Sequence, residues 1–338
     1  VWRVSNPTPP KIFVESQRDI LRAGGATAKQ LRRVFQDQIT PNHKLLAERR
    51  ERERRRMVNN THYSKRAQQR DDEILPVIYG RMETLANLRY RMAPNYAITK
   101  RVLEECQALL GGGRNNDTSW KPRRIIDMGI GCGSASAAAL EVFGDSVEWI
   151  HGIDPSRCMR ECAKEFLEEI LQKNSAASDA SKSQESKLQQ SCSKQQARLT
   201  LSGSISSEST TNATSSSAAS FDLAFMTYTA TELPHVASTM AAVALLWEKL
   251  NPHGGILIMI EPGTPDGFSS VRAVRNMLLD CCPPNPPPQD NDDDGEHGHE
   301  QNRHYPVDQC HILAPCTHNG KCPMERHQHN FVKQTKRP

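Results

Sequence analysis

One stretch of the chain, residues 123–155, constrains the fold more than any other. It contains an apolar strand ending in Asp127, a glycine-rich turn, a helix of small residues and a second strand ending in Asp154. The turn carries a glycine at every second position: Gly129, Gly131 and Gly133. Glycines let the backbone approach a ligand, and the N-terminus of the following helix offers free N–H groups. This segment predicts a nucleotide-type cofactor held on a parallel sheet, with Asp154 accepting two ribose hydroxyls.

The order of the turn residues favours S-adenosylmethionine over a dinucleotide. The turn reads Asp-x-Gly-x-Gly-x-Gly, whereas dinucleotide sites read Gly-x-Gly-x-x-Gly, a pattern that fails here at Ser134. A tight turn that binds no ligand is the alternative, and the acid at the end of the second strand counts against it. The residues predicted to bind the cofactor are Asp127, Gly129, Gly131, Gly133, Asp154 and Tyr228.

Strands and helices alternate through the middle of the chain. The predicted strands are 124–127, 148–153, 197–203, 221–228 and 254–263, and the predicted helices between them are 133–142, 156–173 and 235–250. This alternation predicts an α/β fold with a parallel, doubly wound, Rossmann-like sheet. A methyltransferase-type sheet normally has seven strands, so the two C-terminal strands are missing from the pattern.

The chain before the sheet, residues 1–110, is predicted to be helical and basic. Apolar residues recur at helical spacing over 28–57 and again over 73–110, where Pro94 is expected to separate two helices. Residues 49–56 read RRERERRR. This mixture of charges is expected on a solvated helix, either as a plain surface or as an arm that contacts phosphates.

Composition divides the rest of the chain. Residues 120–280 are predicted to form the Rossmann-like domain, with a Ser-, Gln- and Ala-rich insert at 174–219 that cannot bury enough surface to fold. Residues 281–338 hold a proline-rich and acidic loop and a Cys/His tail. No apolar run approaches the roughly 18 residues of a membrane span. The ten cysteines are not spaced like a secreted disulfide framework, which favours a reducing compartment.

The loop after the fourth strand is where a methyltransferase usually places the groups that handle its substrate. Residues 227–234 read TYTATELP. They lack the Asn/Asp-Pro-Pro-aromatic pattern of enzymes that methylate amino groups, and they lack a catalytic cysteine. Tyr228 and Glu232 could orient a substrate, or they could pack and cap the loop. The run Glu261–Pro265 could shape the same site. No catalytic residue is predicted.

The C-terminal tail is rich in metal-binding side chains. Cys316 and Cys322 are separated by five residues, and Cys310 precedes them. The nearby histidines are His318, His327 and His329. Thiolates and imidazoles at this density are typical of a zinc or an iron–sulfur site. Free thiols in a loop are the alternative.

Several blocks together resemble one family, the methyltransferase-like assembly factors of the mitochondrial small ribosomal subunit, which have bacterial relatives. The blocks occur in the family's order: RYRMAPNYAITKRVL (89–103), DMGIGCGSASAAA (127–139), GIDPSRCMRE (152–161), FDLAFMTYTATELP (221–234), IEPGTPDGFSSVRAVRNMLL (260–279) and HILAPCTHNGKCP (311–323). The Glu-Pro-Gly-Thr-Pro-x-Gly run and the Ala-Pro-Cys-x-His-x-x-x-Cys-Pro run are specific in combination, because ordinary methyltransferases have neither.

The resemblance implies an S-adenosylmethionine-type pocket, weak or lost methyl transfer, and a place in the mitochondrial matrix. The expected partners are small-subunit rRNA and ribosomal proteins, with no membrane or DNA partner. A four-cysteine cluster, [4Fe–4S], is also implied. Cys316 and Cys322 match its first two ligands, but the third cysteine is replaced in the stretch around His329. Cys310 and His329 are therefore the substitute candidates, and zinc or an empty site are the alternatives to the cluster.

Two other functions stay open at this point. The chain could be an active S-adenosylmethionine-dependent rRNA methyltransferase, with the glycine turn and Asp154 holding the cofactor. It could also be an iron–sulfur sensor that gates mitochondrial translation, which requires a complete cluster.

Overall fold

The structure is a computed structural model that describes residues 7–59, 74–111, 120–182, 197–205, 220–282, 310–315, 318–320 and 322. The chain forms two units, Val1–Ser270 and Val271–Pro338. Within the described ranges, no helix is both long enough and apolar enough to cross a membrane.

Five parallel strands form one sheet in the first unit. They are β1 (Arg124–Met128), β2 (Trp149–Ile153), β3 (Arg198–Ser202), β4 (Leu223–Thr227) and β5 (Ile256–Ile260). Their order is β3-β2-β1-β4-β5, so the chain crosses from one side of β1 to the other after β3. This is the doubly wound order of Rossmann-like folds, and it confirms the predicted α/β class. The weak strand predicted at 197–203 is confirmed as β3, which pairs with β2.

In the described ranges before the sheet the chain forms five helices: α1 (Lys11–Ala23), α2 (Ala28–Val34), α3 (Thr40–Asn59), α4 (Arg81–Tyr90) and α5 (Met92–Leu110). A π-helical turn, Phe35–Ile39, joins α2 to α3, so the helix predicted over 28–57 is confirmed. Pro94 does not separate the next two helices, because the break falls at Arg91. Pro94 lies in the first turn of α5, where its missing N–H removes no intrahelical hydrogen bond.

Residues 74–80, which directly precede α4, form neither helix nor strand, and we call them the strap. Its apolar spacing predicts a helix, and that prediction is wrong. Two side chains of α3 donate hydrogen bonds to backbone carbonyls of the strap. Arg49 donates to Ile74 O at 2.7 Å, and Asn42 donates to Leu75 O at 2.8 Å. These tertiary hydrogen bonds take the place of the helical ones that the spacing suggests.

Part of the arginine-rich stretch of α3 faces inward. Arg49 and Arg50 are 4% and 0% exposed, and Arg54 pairs with Asp266 at 2.7 Å. The prediction that the stretch lies on a solvated face is therefore wrong for these three side chains. Their burial is possible because carbonyls and a carboxylate accept their hydrogen bonds. Arg55 keeps the predicted exposure and pairs with Glu51 on its own helix.

Four more α-helices lie in the part of the chain from residue 120 onward that the structure describes: α6 (Ser134–Phe143), α7 (Arg157–Lys182), α8 (Val236–Lys249) and α9 (Pro265–Cys281). The small residues of α6 are buried, which explains why this helix is built of alanine and serine. Helix α7 extends beyond its predicted end into the insert at 174–219. The parts of that insert at 183–196 and 206–219 lie outside the described residues. Helix α9 was not predicted.

Candidate cofactor cavity

The carboxyl ends of β1, β2 and β4 meet at a cavity of about 580 Å³. Its walls come from the glycine turn after β1, the loop after β2, the loop after β4 and the strap. The strand order reverses between β1 and β4, and ligands of doubly wound sheets bind at such a switch point. The volume lies in the range of small-molecule and cofactor sites.

All three glycines of the turn have positive φ: Gly129 at 74°, Gly131 at 54° and Gly133 at 91°. A Cβ on Gly129 would lie 2.0 Å from Thr229 Oγ1, so the packing of the two loops itself requires this glycine. A Cβ on Gly131 would meet only Gly129 O, at 3.9 Å, so the backbone there is open to a ligand. Gly133 is the N-cap of α6 and is not part of the cavity wall.

Asp154, directly after β2, is buried at the cavity wall. Its Oδ2 accepts from the N–H of Gly131 at 3.1 Å, and its Oδ1 accepts from the N–H of Ser156 at 2.8 Å. Each oxygen keeps a lone pair for a further donor. Burial raises the pKa of Asp154, while the two backbone N–H groups oppose that rise. The structure thus places the acid and the open glycine side by side, as a ribose site requires.

Asp127 lies at the end of β1 but is not part of the cavity wall. Its side chain is fully buried, and its Oδ2 accepts from Ser136 Oγ at 2.7 Å. Its Oδ1 is buried and has no hydrogen-bond partner among the residues that the structure describes. Burial raises the pKa of Asp127 to about 7. Asp127 therefore contacts the first turn of α6 rather than the open cavity.

Tyr228 follows β4 directly and lines the cavity. Its φ is 55°, in the left-handed region that favours glycine. Its N–H donates to Ile260 O at 2.7 Å, which holds the strained backbone against the end of β5. Burial raises the pKa of its phenol. Strained residues of this kind cluster at functional sites.

Three polar side chains from distant parts of the sequence meet at the cavity wall: His43 of α3, Tyr79 of the strap and Glu232 of the loop after β4. Tyr79 OH donates to Glu232 Oε1 at 3.0 Å, and His43 Nε2 lies 3.3 Å from that oxygen. Burial raises the pKa of Glu232 to about 7 and lowers the pKa of His43 to about 4. The sequence singled out Glu232 but not its two partners, because only the fold brings them together.

The loop after β4, residues 228–234, is held from two sides. The Glu261 carboxylate accepts a hydrogen bond from Ala230 N at 2.8 Å. This contact agrees with the prediction that the 261–265 run shapes the site. Arg50 of α3 donates to the carbonyls of Ala230 and Leu233 and pairs with Asp266. Helix α3 therefore helps to hold this wall of the cavity in place.

The C-terminal cysteines are only partly described. In the second unit, Cys310 is buried, and its N–H donates to Cys282 O at 3.0 Å. Burial raises the pKa of the Cys310 thiol to about 11. Cys322 is half-buried, while Cys316 and His329 lie outside the described residues. The described part of the chain contains no group of three or more His, Cys, Asp or Glu side chains that could hold a metal ion.

A comparison with known protein families decides the family. Residues 81–337 match the family described as mitochondrial small ribosomal subunit Rsm22. The chain belongs to the Rsm22 family. This confirms the resemblance drawn from the sequence blocks.

Two relatives are the Rsm22-cox11 tandem proteins 1 and 2, mitochondrial, of Schizosaccharomyces pombe. Each is 30% identical to this Rsm22-family chain over 80 residues, which are 24% of the chain and 8% of the relative.

Solved structures similar to this Rsm22-family chain include methyltransferases. The O-methyltransferase TomG of Streptomyces achromogenes, in complex with S-adenosylmethionine, is 14% identical. The similarity covers 56% of this chain and 69% of TomG, with a TM-score of 0.31. The plantazolicin methyltransferase BpumL, in complex with S-adenosylhomocysteine, is 12% identical, with coverage of 73% and 66% and a TM-score of 0.32. These similarities do not assign a role to any residue of this chain. The fold class is established by the strand order instead.

Proposed function

We propose that this Rsm22-family protein is an assembly or translation factor of the mitochondrial small ribosomal subunit, acting in the matrix. Its methyltransferase-like domain binds rRNA, with ribosomal proteins as further partners. Its cavity binds S-adenosylmethionine, and the protein transfers little or no methyl. The observation that carries the proposal is the pairing of family membership with a cavity built from the glycine turn and Asp154.

The residues at the switch point fit a nucleoside cofactor. Asp154 has spare lone pairs for two ribose hydroxyls, and Gly131 leaves the backbone open beside it. Tyr228 and Gly129 complete the wall. Bound S-adenosylmethionine would supply an electrophilic methyl group.

In this proposal, two of the predicted cofactor residues act indirectly. Asp127 anchors the turn through Ser136, and Gly133 lets the chain enter α6 with a φ of 91°. Neither lies in the cavity wall. Their substitution is therefore expected to act on the turn first and on the cofactor second.

RNA binding is tested by its salt dependence. Lys29 and Arg32 of α2 are exposed, and we propose that these two cations contact phosphates. We expect small-subunit rRNA to bind in a filter assay, with an affinity that falls steeply as salt rises. Replacing Lys29 and Arg32 by Ala should flatten that slope, and the matched control Lys11→Ala, on α1, should not. A slope that is flat in the unmodified protein would contradict the proposal.

An active rRNA methyltransferase is the second candidate. Glu232, Tyr79 and His43 favour it, because a carboxyl with a pKa near 7 in the cavity wall could accept a proton. The loop sequence TYTATELP counts against it. Incubation with tritiated S-adenosylmethionine and small-subunit rRNA distinguishes the two candidates. Incorporation that Glu232→Gln abolishes would establish the enzyme, whereas no incorporation is expected under the first proposal.

We also infer a metal site in the tail, formed by Cys316 and Cys322 with Cys310 and His329 as further ligands. An iron–sulfur cluster, [4Fe–4S], or zinc suits these side chains. The support is the resemblance and the density of ligands in the sequence. Cys310 would have to lose its proton to bind a metal, and its burial opposes this. Iron, sulfide and zinc analysis of anaerobically purified protein tests the site. A protein free of all three would contradict it and would remove the sensor function.

A further inference from the structure

The cavity holds polar groups beyond those that a cofactor at Asp154 would use. The strand order places β2 and β4 on opposite sides of β1. Asp154 follows β2, whereas Glu232 lies in the loop after β4. The glycine turn after β1 thus has one acid on each side of it. The acid on the β2 side suits the ribose, and the acid on the β4 side is left for another ligand.

The contacts around Glu232 converge on one oxygen of its carboxyl group. Tyr79 OH donates to Glu232 Oε1 at 3.0 Å and also lies 3.3 Å from His43 Nε2. His43 Nε2 also lies within 3.3 Å of Oε1. Both contacts involve Oε1, so the other carboxyl oxygen, Oε2, is left for a further donor. Among the described residues, none donates to Oε2, and the Glu232 side chain is 30% exposed.

The subsite opens to the surface beside the strap. Ile78 belongs to the cavity wall and is nevertheless 84% exposed. Pro76 and Val77 of the strap and Leu233 and Pro234 of the β4 loop add apolar surface to the wall. A flat, partly apolar group with N–H donors on one edge matches these surroundings.

We propose that the β4 side of the cavity is a nucleobase subsite, in which Glu232 accepts a hydrogen bond from the exocyclic amino group of an extruded base. The ligand class is an RNA base of the adenine or cytosine type. The inference rests on the proposed RNA binding and adds the part of the RNA that enters the protein. Base extrusion into a pocket is how proteins gain access to a single base. The subsite recognises the base whether or not a methyl group is transferred.

The test compares two fluorescein-labelled single-stranded RNAs that differ only in a central adenosine or inosine. Adenosine presents an amino group where inosine presents a carbonyl oxygen, which a carboxylate repels. We expect fluorescence anisotropy of the whole chain, with S-adenosylhomocysteine present, to show at least about tenfold tighter binding of the adenosine RNA. Glu232→Gln should remove that preference, because an amide can both donate and accept. The matched control Glu104→Gln, on the exposed face of α5, should keep it.

The outcomes separate this inference from the proposed function. Equal affinity for both RNAs in the unmodified protein overturns the subsite and leaves the RNA binding intact. A preference that survives Glu232→Gln overturns the role of Glu232. Failure to bind either RNA contradicts the proposed function and the subsite together. Should Glu232→Gln fold poorly by circular dichroism, Tyr79→Phe is the second variant, and it should weaken the preference by removing the donor that orients Glu232.

Discussion

The buried guanidinium of Arg50 gives the sharpest prediction of stability. Its side chain is 1% exposed, and it bonds to the carboxylate of Asp266 and to the carbonyls of Ala230 and Leu233. Arg50→Ala leaves these acceptors buried and less well satisfied. Removing one partner of a buried ion pair costs about 3–5 kcal/mol. Arg54 still pairs with Asp266 at 2.7 Å, so we expect the lower end, about 3 kcal/mol.

Urea unfolding followed by circular dichroism measures this loss as a shift of the midpoint at constant slope. The control is Arg55→Ala on the same helix, whose side chain is 74% exposed, and its effect should stay within about 0.5 kcal/mol. The loss of stability in Arg50→Lys should lie between the losses in Arg50→Ala and Arg55→Ala. A lysine keeps the charge but cannot bond to three acceptors in one plane. If the urea midpoint of Arg50→Ala equals that of Arg55→Ala, the buried contacts of Arg50 do not stabilise the fold.

Two further predictions concern the glycine turn and the buried carboxyl groups near it. Asp127 and Glu232 each have a pKa of about 7 in the folded protein, above the ordinary carboxyl value. The stability linked to these protons is therefore present below about pH 4 and is lost as pH rises towards 7. Urea midpoints should fall between about pH 4 and pH 7, and Glu232→Gln should reduce that fall; an unchanged fall would speak against the raised pKa. Gly129→Ala should destabilise the fold strongly, since the new Cβ would lie 2.0 Å from Thr229 Oγ1, whereas Gly131→Ala should cost only about 1–2 kcal/mol of backbone strain. Melting temperatures check that order, and equal losses would contradict it.

The sequence predicts the alternation of strands and helices well because each has its own local pattern. Strand β3 was found inside a low-complexity insert, since its apolar residues stand out against serine and glutamine. The strap does not follow its pattern, because apolar side chains at helical spacing can also line a cavity from a segment that is not helical. Local periodicity does not record which carbonyls Arg49 and Asn42 will bind.

Some residues of the candidate site could also be predicted from the sequence, and others could not. Gly131 and Asp154 could be predicted, because the turn and the strand end that bring them together are local in sequence. Arg50 could not, since a cluster of arginines on a helix usually marks a solvated surface, and here α3 packs against the core. His43 and Tyr79 carried no local signal, because their roles depend on a contact with Glu232 across the fold.

The most direct test of the account is whether the cavity binds S-adenosylmethionine through Asp154. Isothermal titration calorimetry of the whole chain should show one binding site for S-adenosylmethionine and for S-adenosylhomocysteine. Asp154→Ala should weaken both by about 10- to 100-fold, because hydrogen bonds to a charged carboxylate are lost. Asp19→Ala, on the exposed face of α1, should change neither. Absence of binding, or binding that Asp154→Ala leaves unchanged in a folded protein, would contradict the account.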